Sequence, residues 1–346
     1  MNIKNRKIGE GQSAYIIAEM SANHAGKIEN AKKIIHAAKE SGADCVKIQT
    51  YTADTMTIDC DNEYFKISGG LWDGYNLYNL YKEAYTPWEW QAELKAEAQK
   101  VGIDFLSTPF DKTSVDFLES IGLEFYKIAS YELVDIPLIE YIASKKKPII
   151  MSTGMGTLAE IEEAVLAIKK YHDNIVLLRC ASAYPAITDE MNLKTMRNMK
   201  ETFGVEVGLS DHSMGSVGAV TAVAMGASVI EKHFCLSRDI KNPDCDFSME
   251  PQEFKNMVSD IRQAEKAIGN INYGATEQEK NSVLCRRSIF VVKDIKTGEK
   301  FTEDNIKIIR PGYGLAPKYY KDILNKVSAK DIKKGEPLAL NMILEL

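Results

Sequence analysis

Two histidines occupy matching places in this chain, His212 in Gly208-Leu209-Ser210-Asp211-His212-Ser213 and His233 in Val229-Ile230-Glu231-Lys232-His233-Phe234. Each closes an apolar run that reads as a β-strand, and the two runs belong to consecutive strand–helix units. In a barrel of parallel strands those ends are neighbours, so two imidazoles there can share one divalent metal. Two protein ligands leave positions for water and a substrate oxygen, which is a catalytic arrangement, whereas a structural site is closed by four protein ligands. Two buried histidines, each satisfied by a hydrogen bond, are the plainer reading. The pairing and the basic and hydroxyl residues on other strand ends favour the metal.

Those other ends supply Glu19 and Asn23, then Lys47, Gln49 and Tyr51, then Ser107 and Thr108, then Lys127, Ser130 and Glu132. Ser152 and Thr153 follow, then Ser182 and Tyr184, then Ser210 and Asp211, and last Glu231. A lysine inside an apolar strand is costly to bury without an anionic partner. Lys47 and Lys127 pointing into one mouth, beside the hydroxyls of Thr108, Ser130, Ser152 and Ser210, describe a site for phosphate and carboxylate. Structural salt bridges are the alternative for either lysine alone.

The elements that position these residues alternate along the chain up to about residue 270. The strand-like runs are Ala14–Met20, Cys45–Tyr51, Asp104–Pro109, Phe125–Ser130, Pro148–Thr153, Ile175–Ser182, Glu206–His212 and Ser228–Phe234. They are largely continuous apolar segments, as strands buried on both faces require. Amphipathic stretches lie between them, including Asn30–Ser41, Thr86–Val101, Ser114–Ile121, Leu158–Tyr171, Val217–Met225 and Glu250–Ile268. Glycines near their ends (Gly42, Gly102, Gly122, Gly204, Gly226) suit left-handed caps. The expected fold is an α/β (β/α)8 TIM barrel. An open doubly wound sheet is disfavoured because no Gly-x-Gly-x-x-Gly follows the first strand. The connection from Thr52 to about Tyr85 is long and aromatic, which suits either a substrate-shaping loop or an aromatic cluster on the barrel rim.

The chain has 346 residues, 45% hydrophobic and 27% charged, as in an ordinary globular protein. Its net charge of −6 and the absence of any Lys/Arg-rich run argue against a nucleic-acid partner. The six cysteines form no CxxC and no dense framework, so a reducing cytoplasm is expected. The polar N-terminal residues give no sign of a signal peptide, and no apolar run is long enough to span a bilayer, so no membrane partner is expected.

From Gly269 to Val283 the composition turns polar, and a separate small unit is expected beyond it. In that unit Lys293-Asp294-Ile295-Lys296-Thr297-Gly298-Glu299 is echoed by Lys330-Asp331-Ile332-Lys333-Lys334-Gly335-Glu336. Two matching strand–turn segments suggest a pseudo-symmetric β-rich module, marginal alone. The domain expectation is a catalytic barrel over 1–270, a linker over 271–285 and the small domain over 286–346.

The ordered motifs Glu-x-x-x-Asn-His from Glu19, Lys-x-Gln-Thr from Lys47, Ser-Thr-Pro-Phe from Ser107, Lys-Ile-x-Ser from Lys127, Ser-Thr-Gly-Met from Ser152, Gly-Leu-Ser-Asp-His and Glu-Lys-His-Phe resemble the sialic acid synthase family. Arg286-Arg287-Ser288 resembles the opening of its antifreeze-like (SAF) domain. Glu19–Gly26, Lys47–Thr52 and Gly69-Gly70-Leu71-Trp72-Asp73 are most similar to the pseudaminic acid synthase branch.

The resemblance implies a transferase that condenses phosphoenolpyruvate with an N-acylated amino sugar and releases phosphate. It implies phosphoenolpyruvate contacts at Lys47, Thr108, Lys127, Ser130, Ser152, Ser182 and Ser210; Glu132, from the strand-end set, is also expected among the substrate-binding residues. His212 and His233 match ligands of Mn²⁺ or Mg²⁺, with Co²⁺ also acceptable. Gln49 matches a place beside the metal's water shell. Glu19, Tyr184 and Asp244 match residues near the sugar, and Glu19 is the candidate proton shuttle. Arg310 matches an arginine that the small domain brings to the partner barrel in a domain-exchanged homodimer. The branch implies 2,4-diacetamido-2,4,6-trideoxy-L-altrose as the sugar, the alternative being a mannosamine-type sugar, as in N-acetylneuraminate or legionaminic acid synthases.

Overall fold

In Tyr15–Glu19 (β1) all five residues are buried, so the strand is packed on both faces. The same holds, with single exceptions, for Cys45–Thr50 (β2), Asp104–Pro109 (β3), Tyr126–Ile128 (β4), Ile149–Ser152 (β5), Ile175–Cys180 (β6), Glu206–Asp211 (β7) and Val229–His233 (β8). A computed structural model, which describes residues 1–4 and 6–344, closes these eight strands into a parallel barrel in chain order, β8 pairing with β1.

Alternation along each strand separates two cores. Ile16, Ala18, Val46, Ile48, Ile128, Met151, Leu177, Leu209 and Ile230 face the helix layer. That layer comprises Ile28–Glu40 (α1), Trp88–Val101 (α2), Lys112–Ser120 (α3), Ile136–Ala143 (α4), Leu158–Lys169 (α5), Lys194–Phe203 (α6), Val217–Ala224 (α7) and Pro251–Ile268 (α8). Tyr15, Ile17, Cys45, Leu106, Phe125, Ile150, Val176, Leu178 and Val229 fill the barrel interior. Ile3 and Ile8, on and just after a short hairpin of Asn2–Ile3 with Arg6–Lys7, join that interior cluster. The apolar filling stops there, and the next inward positions toward the carboxyl ends are Glu19, Lys47, Lys127, Ser152, Ser210 and Glu231, all buried. A polar layer thus sits on an apolar plug.

Helix ends agree with the local chemistry. Thr157 and Glu160 form a capping box at the start of α5, and Asp111 caps α3 through the Thr113 and Ser114 amides. Gly102 and Gly204 end α2 and α6 at φ 72° and 64°. The connection from Thr52 to Tyr85 contains helical turns at Ala53–Met56 and Leu77–Ala84. Its aromatics divide: Trp72 and Tyr81 pack on other rings, whereas Tyr64 is 82% exposed.

Asn270–Leu346 forms a second compact unit. Residues expected as linker include helical turns at Glu277–Glu279 and Lys280–Val283. Ser288–Val291 (β9) pairs antiparallel with Ile306–Ile309 (β10), and Val327–Ser328 (β11) with Ile343–Leu344 (β12). The sequence echo is a structural one. Ile295 and Ile332 exchange both backbone hydrogen bonds at 2.9 Å and share one core. Around them Lys296 pairs with Asp331 at 2.7 Å and Lys333 with Asp294 at 2.9 Å, a reciprocal exchange between the repeats.

Candidate active site

Register sets the first contacts. Glu19 on β1 lies beside Lys47 on β2 and His233 on β8, while Ser210 on β7 lies beside both Glu231 on β8 and Cys180 on β6. The inward side chains of this layer form a buried charge quartet. Lys47 Nζ is 3.1 Å from Glu19 and 3.1 Å from Glu231, and Lys127 Nζ is 3.8 Å from Glu231. Lys127 also donates to Ser152 Oγ at 2.6 Å, and Ser210 Oγ donates to Glu231 at 3.2 Å. Lys47 reaches Thr108 Oγ1 at 3.4 Å.

Burial disfavours the charge of every member, and the partners decide the outcome. It pushes the Glu19 carboxyl up to about 7, with the neighbouring Glu231 adding to the rise and Lys47 opposing it. Glu231 stays low despite its burial, because Lys127 and Lys47 flank it. Burial draws Lys127 down to about 8, whereas Glu19 and Glu231 outweigh burial at Lys47 and hold its ammonium charged.

The histidines lie on the next turn of the mouth, ring centroids 5.4 Å apart. His212 Nδ1 is 3.1 Å from the Ala181 carbonyl. A carbonyl only accepts, so Nδ1 carries a proton, and in the neutral ring Nε2 is the nitrogen with a lone pair. Burial, reinforced by the nearby lysines, holds His233 neutral, the form that ligates a metal. Its Nδ1 is buried without a hydrogen bond. Such an atom costs about 1–3 kcal/mol. No third His, Cys, Asp or Glu joins the pair among the described residues, so an ion held here would take its remaining ligands from water or substrate. The residues fit a catalytic divalent site.

Rings roof the pair: Tyr184 lies 4.3 Å from His212, Phe247 4.8 Å from His233, and Trp72 5.4 Å from Tyr184, centroid to centroid. The Trp72 indole donates to the Pro243 carbonyl at 3.0 Å, which fixes part of the long connection over the site.

Six buried side-chain atoms lack a hydrogen-bond partner among the described residues. Five belong to Glu19, Asn23, Glu132, Glu231 and His233, all at or just beyond strand carboxyl ends. Glu19 Oε2 is within ion-pair reach of Lys47 but not in hydrogen-bonding geometry. Native interiors rarely leave such atoms unpaired, so their concentration marks a place shaped for a ligand.

The structure therefore brings together most of the expected residues. Lys47, Gln49, Lys127, Ser130, Ser152, Tyr184, Ser210, His212, Glu231 and His233 line one cavity. Glu19 and Thr108 join through Lys47. Ser182 lies against Cys180, 3.5 Å from its thiol. Glu132 is not in the cavity lining, but burial raises its carboxyl to about 7. Asp244 accepts the Ala22 amide at 3.0 Å. Arg310 follows β10 in the second unit, exposed.

Three residues of the strand-end inventory face away from the cavity. Ser107 bonds Thr50 Oγ1 at 2.6 Å, Thr153 donates to the Leu178 carbonyl at 3.1 Å, and Asp211 pairs with Lys232 at 2.8 Å. Sequence reasoning missed Cys180, Phe247, Ser21 and Gly154. Gly154 donates its amide to Ser130 Oγ at 3.1 Å, and a Cβ there would lie 2.1 Å from Ser182 Oγ. The only sequence signal for it is a glycine directly after the strand-end pair Ser152-Thr153.

The NeuB family profile matches residues 34–273, and that of the SAF domain residues 286–344. A pseudaminic acid synthase of Campylobacter jejuni is 47% identical, over 94% of this chain and 96% of its own. An N,N'-diacetyllegionaminic acid synthase of the same organism is 40% identical, over 93% of this chain and 97% of its own. Among solved structures, the N-acetylneuraminic acid synthetase of Leptospira borgpetersenii superposes with a TM-score of 0.73 at 31% identity, covering 82% of this chain and 94% of that one. With a barrel, a paired-histidine mouth and matches of this length, the chain belongs to the NeuB family and carries its SAF domain.

Proposed function

We propose that this chain is a pseudaminic acid synthase, condensing phosphoenolpyruvate with 2,4-diacetamido-2,4,6-trideoxy-L-altrose to a nine-carbon 2-keto acid and phosphate. The observation that carries the reading is the 47% identity to a pseudaminic acid synthase over 94% of the chain, against 40% to a legionaminic acid synthase.

The site's chemistry supports the same reaction. Lys47 and Lys127 bind the phosphate and carboxylate of phosphoenolpyruvate, with hydroxyl donors from Thr108, Ser130, Ser152, Ser182 and Ser210. C3 of phosphoenolpyruvate forms the new bond to the aldehyde carbon of the open-chain sugar, whose π pair passes to the aldehyde oxygen; that oxygen takes a proton, supplied overall by the water added at C2, and becomes a hydroxyl. The resulting cation at C2 takes up water, and the tetrahedral intermediate expels phosphate by C–O cleavage. Glu19, a carboxyl raised to about 7, accepts the proton of that water. Gln49 and Asp244 orient the sugar. His212 and His233 would hold Mn²⁺, Mg²⁺ or Co²⁺, which supplies Lewis-acid polarisation of a carbonyl when bound.

The second unit is assigned to a second copy's barrel, where its Arg310 meets the sugar's N-acyl group. What supports such a cover is an apolar rim on the strand carboxyl side, with Tyr131, Val134, Met155, Leu158, Ile187, Met214 and Val217 all at least 51% exposed. A cytoplasmic setting agrees with six free cysteines.

Phosphate release from phosphoenolpyruvate, with the trideoxy altrose and N-acetylmannosamine offered in parallel and product masses read, tests the proposal. Turnover with the altrose alone, lost on chelation, is expected. Preference for N-acetylmannosamine would overturn the choice of sugar, and release with neither would overturn the reaction.

A further inference from the structure

The motif Gly69-Gly70-Leu71-Trp72-Asp73 folds into a hairpin with a shape of its own. Lys66 and Asn76 bridge its base. The Ile67 amide donates to the Tyr75 carbonyl and the Gly74 amide to the Ile67 carbonyl, both at 2.9 Å. The Asp73 carboxylate accepts the Gly69 amide at 2.6 Å and closes the tip. Gly69, Gly70 and Gly74 stand at φ 79°, 77° and 82°, a path that only glycine follows at ease.

A hairpin made for packing would bury its large side chains. This one leaves Leu71 and Tyr75 42% and 43% exposed and turns Trp72 onto other rings. The Trp72 ring lies 5.4 Å from Tyr184 and 6.4 Å from Phe247, centroid to centroid, and its N–H goes to the Pro243 carbonyl. Those contacts lead to the histidine pair. Tyr184 tilts over His212 at 4.3 Å, Phe247 stands edge-on to His233 at 4.8 Å, and the two rings are 5.1 Å from each other. Pro243 and Phe247 belong to one connection after β8, which also carries Asp244. Trp72 thus joins the two segments whose rings face the two histidines. It does not itself line the cavity, whereas Tyr184 does.

We propose that Trp72 is a positioning residue, which holds the Tyr184 ring and the Pro243–Phe247 connection against His212 and His233 and so sets the sugar half of the site. The inference rests on the reading of this mouth as one for a divalent ion and an amino sugar. A ring packed on a ligating imidazole limits how far that imidazole turns, as outer contacts of metal ligands do. Lys47, Lys127 and Ser152, assigned to phosphoenolpyruvate, are held instead by the carboxylates and hydroxyls around them.

The test uses the full-length protein with Trp72→Ala, Trp72→Phe and, as a control on the same tip, Leu71→Ala. Mn²⁺ alone is titrated first, the free ion being read by its electron paramagnetic resonance signal. Trp72→Ala is expected to weaken Mn²⁺ binding roughly five-fold and to raise the sugar KM roughly ten-fold, with the phosphoenolpyruvate KM within about two-fold of wild type. Trp72→Phe keeps a ring and loses the Pro243 bond, so Mn²⁺ affinity should return to within about two-fold while the sugar KM stays raised about three-fold. Leu71→Ala should match wild type throughout. An aromatic cluster that serves only stability would lower the melting temperature of Trp72→Ala and leave Mn²⁺ affinity and sugar KM at wild-type values. That result, or equal changes in Trp72→Ala and Leu71→Ala, would overturn the inference. Should Trp72→Ala not fold, Trp72→Phe decides, and a wild-type sugar KM there would overturn it as well. A wild type that binds Mn²⁺ but turns over no N-acylated amino sugar would overturn the functional reading, and the Mn²⁺ comparison would still decide the role of Trp72. A wild type that binds no Mn²⁺ would overturn the inference outright.

Discussion

Asp211 and Lys232 form an ion pair of 2.8 Å behind the two histidines, both side chains at most 1% exposed. Each is the sequence neighbour of a histidine, and each points out of the barrel where His212 and His233 point into its mouth. Asp211 also accepts the Ser213 amide at 2.9 Å and its hydroxyl at 2.6 Å, and Lys232 also donates to the Ser213 carbonyl. The ends of β7 and β8 are thereby fastened together from the outside.

Removing one partner leaves a buried uncompensated charge, which costs about 3–5 kcal/mol. Lys232→Ala and Asp211→Ala should each lower the unfolding free energy obtained from urea titration by that order. The double change should cost less than the sum of the two. Strict additivity would show that the pair does not fasten the strands.

Gly154→Ala should act on substrate more than on the fold. The added Cβ would lie 2.1 Å from Ser182 Oγ and 2.7 Å from Ser130 Oγ, and both are side-chain atoms able to swing aside. Swinging aside displaces two hydroxyls that the proposed function gives to phosphoenolpyruvate. The phosphoenolpyruvate KM should rise roughly ten-fold, with the sugar KM little changed and the melting temperature within a few degrees. A large loss of stability with intact affinity would place the clash in the fold instead.

Glu19 sets a pH limb. Burial raises its carboxyl to about 7, so the ionised base is lost as pH falls through that value. Wild-type kcat/KM should decline below about pH 7, and the residual activity of Glu19→Gln should lack this limb. An unchanged limb in the variant would assign it to another group. For stability the sign is opposite to that of an ordinary paired carboxylate. A folded-state pKa raised from 4.5 means a contribution fully present below about 4.5 and lost as pH rises through about 7.

His24 works on the acid side. Its ring is buried, accepts the Gly26 amide at 3.0 Å and stands edge-on to Trp90, and burial lowers its pKa to about 4. The folded state prefers the neutral ring, so its contribution is present above pH 6.5 and lost as pH falls through about 4. From the separation of the two pKa values the loss is on the order of 3 kcal/mol. Urea midpoints measured from pH 7 to 4 should fall less steeply in His24→Gln. Parallel curves would assign the acid loss to other groups.

The barrel was legible because its strands are continuous apolar runs, and continuous runs are what two-sided burial demands. Lys47 and Lys127 stood out because a lysine there contradicts its surroundings. Ser107, Thr153 and Asp211 misled for a physical reason. Strand ends alternate in facing, and composition at an end does not reveal which parity points inward. Gly154 carries no side-chain chemistry that a sequence advertises. Its place depends on the absence of a Cβ, which would lie 2.1 Å from Ser182 Oγ. The partner echo at Ile295 and Ile332 was visible as repetition, while its reciprocal pairing needed coordinates.

The lysines that greet the incoming anion are not bare. Each already has a glutamate as internal counter-ion, installed when the barrel closed. On the proposed function, a phosphate entering this mouth would behave like an ion displacing another from an exchange resin. On the proposed reading it would substitute for Glu19 and Glu231 around Lys47 and Lys127, freeing carboxylates for the proton transfer that follows.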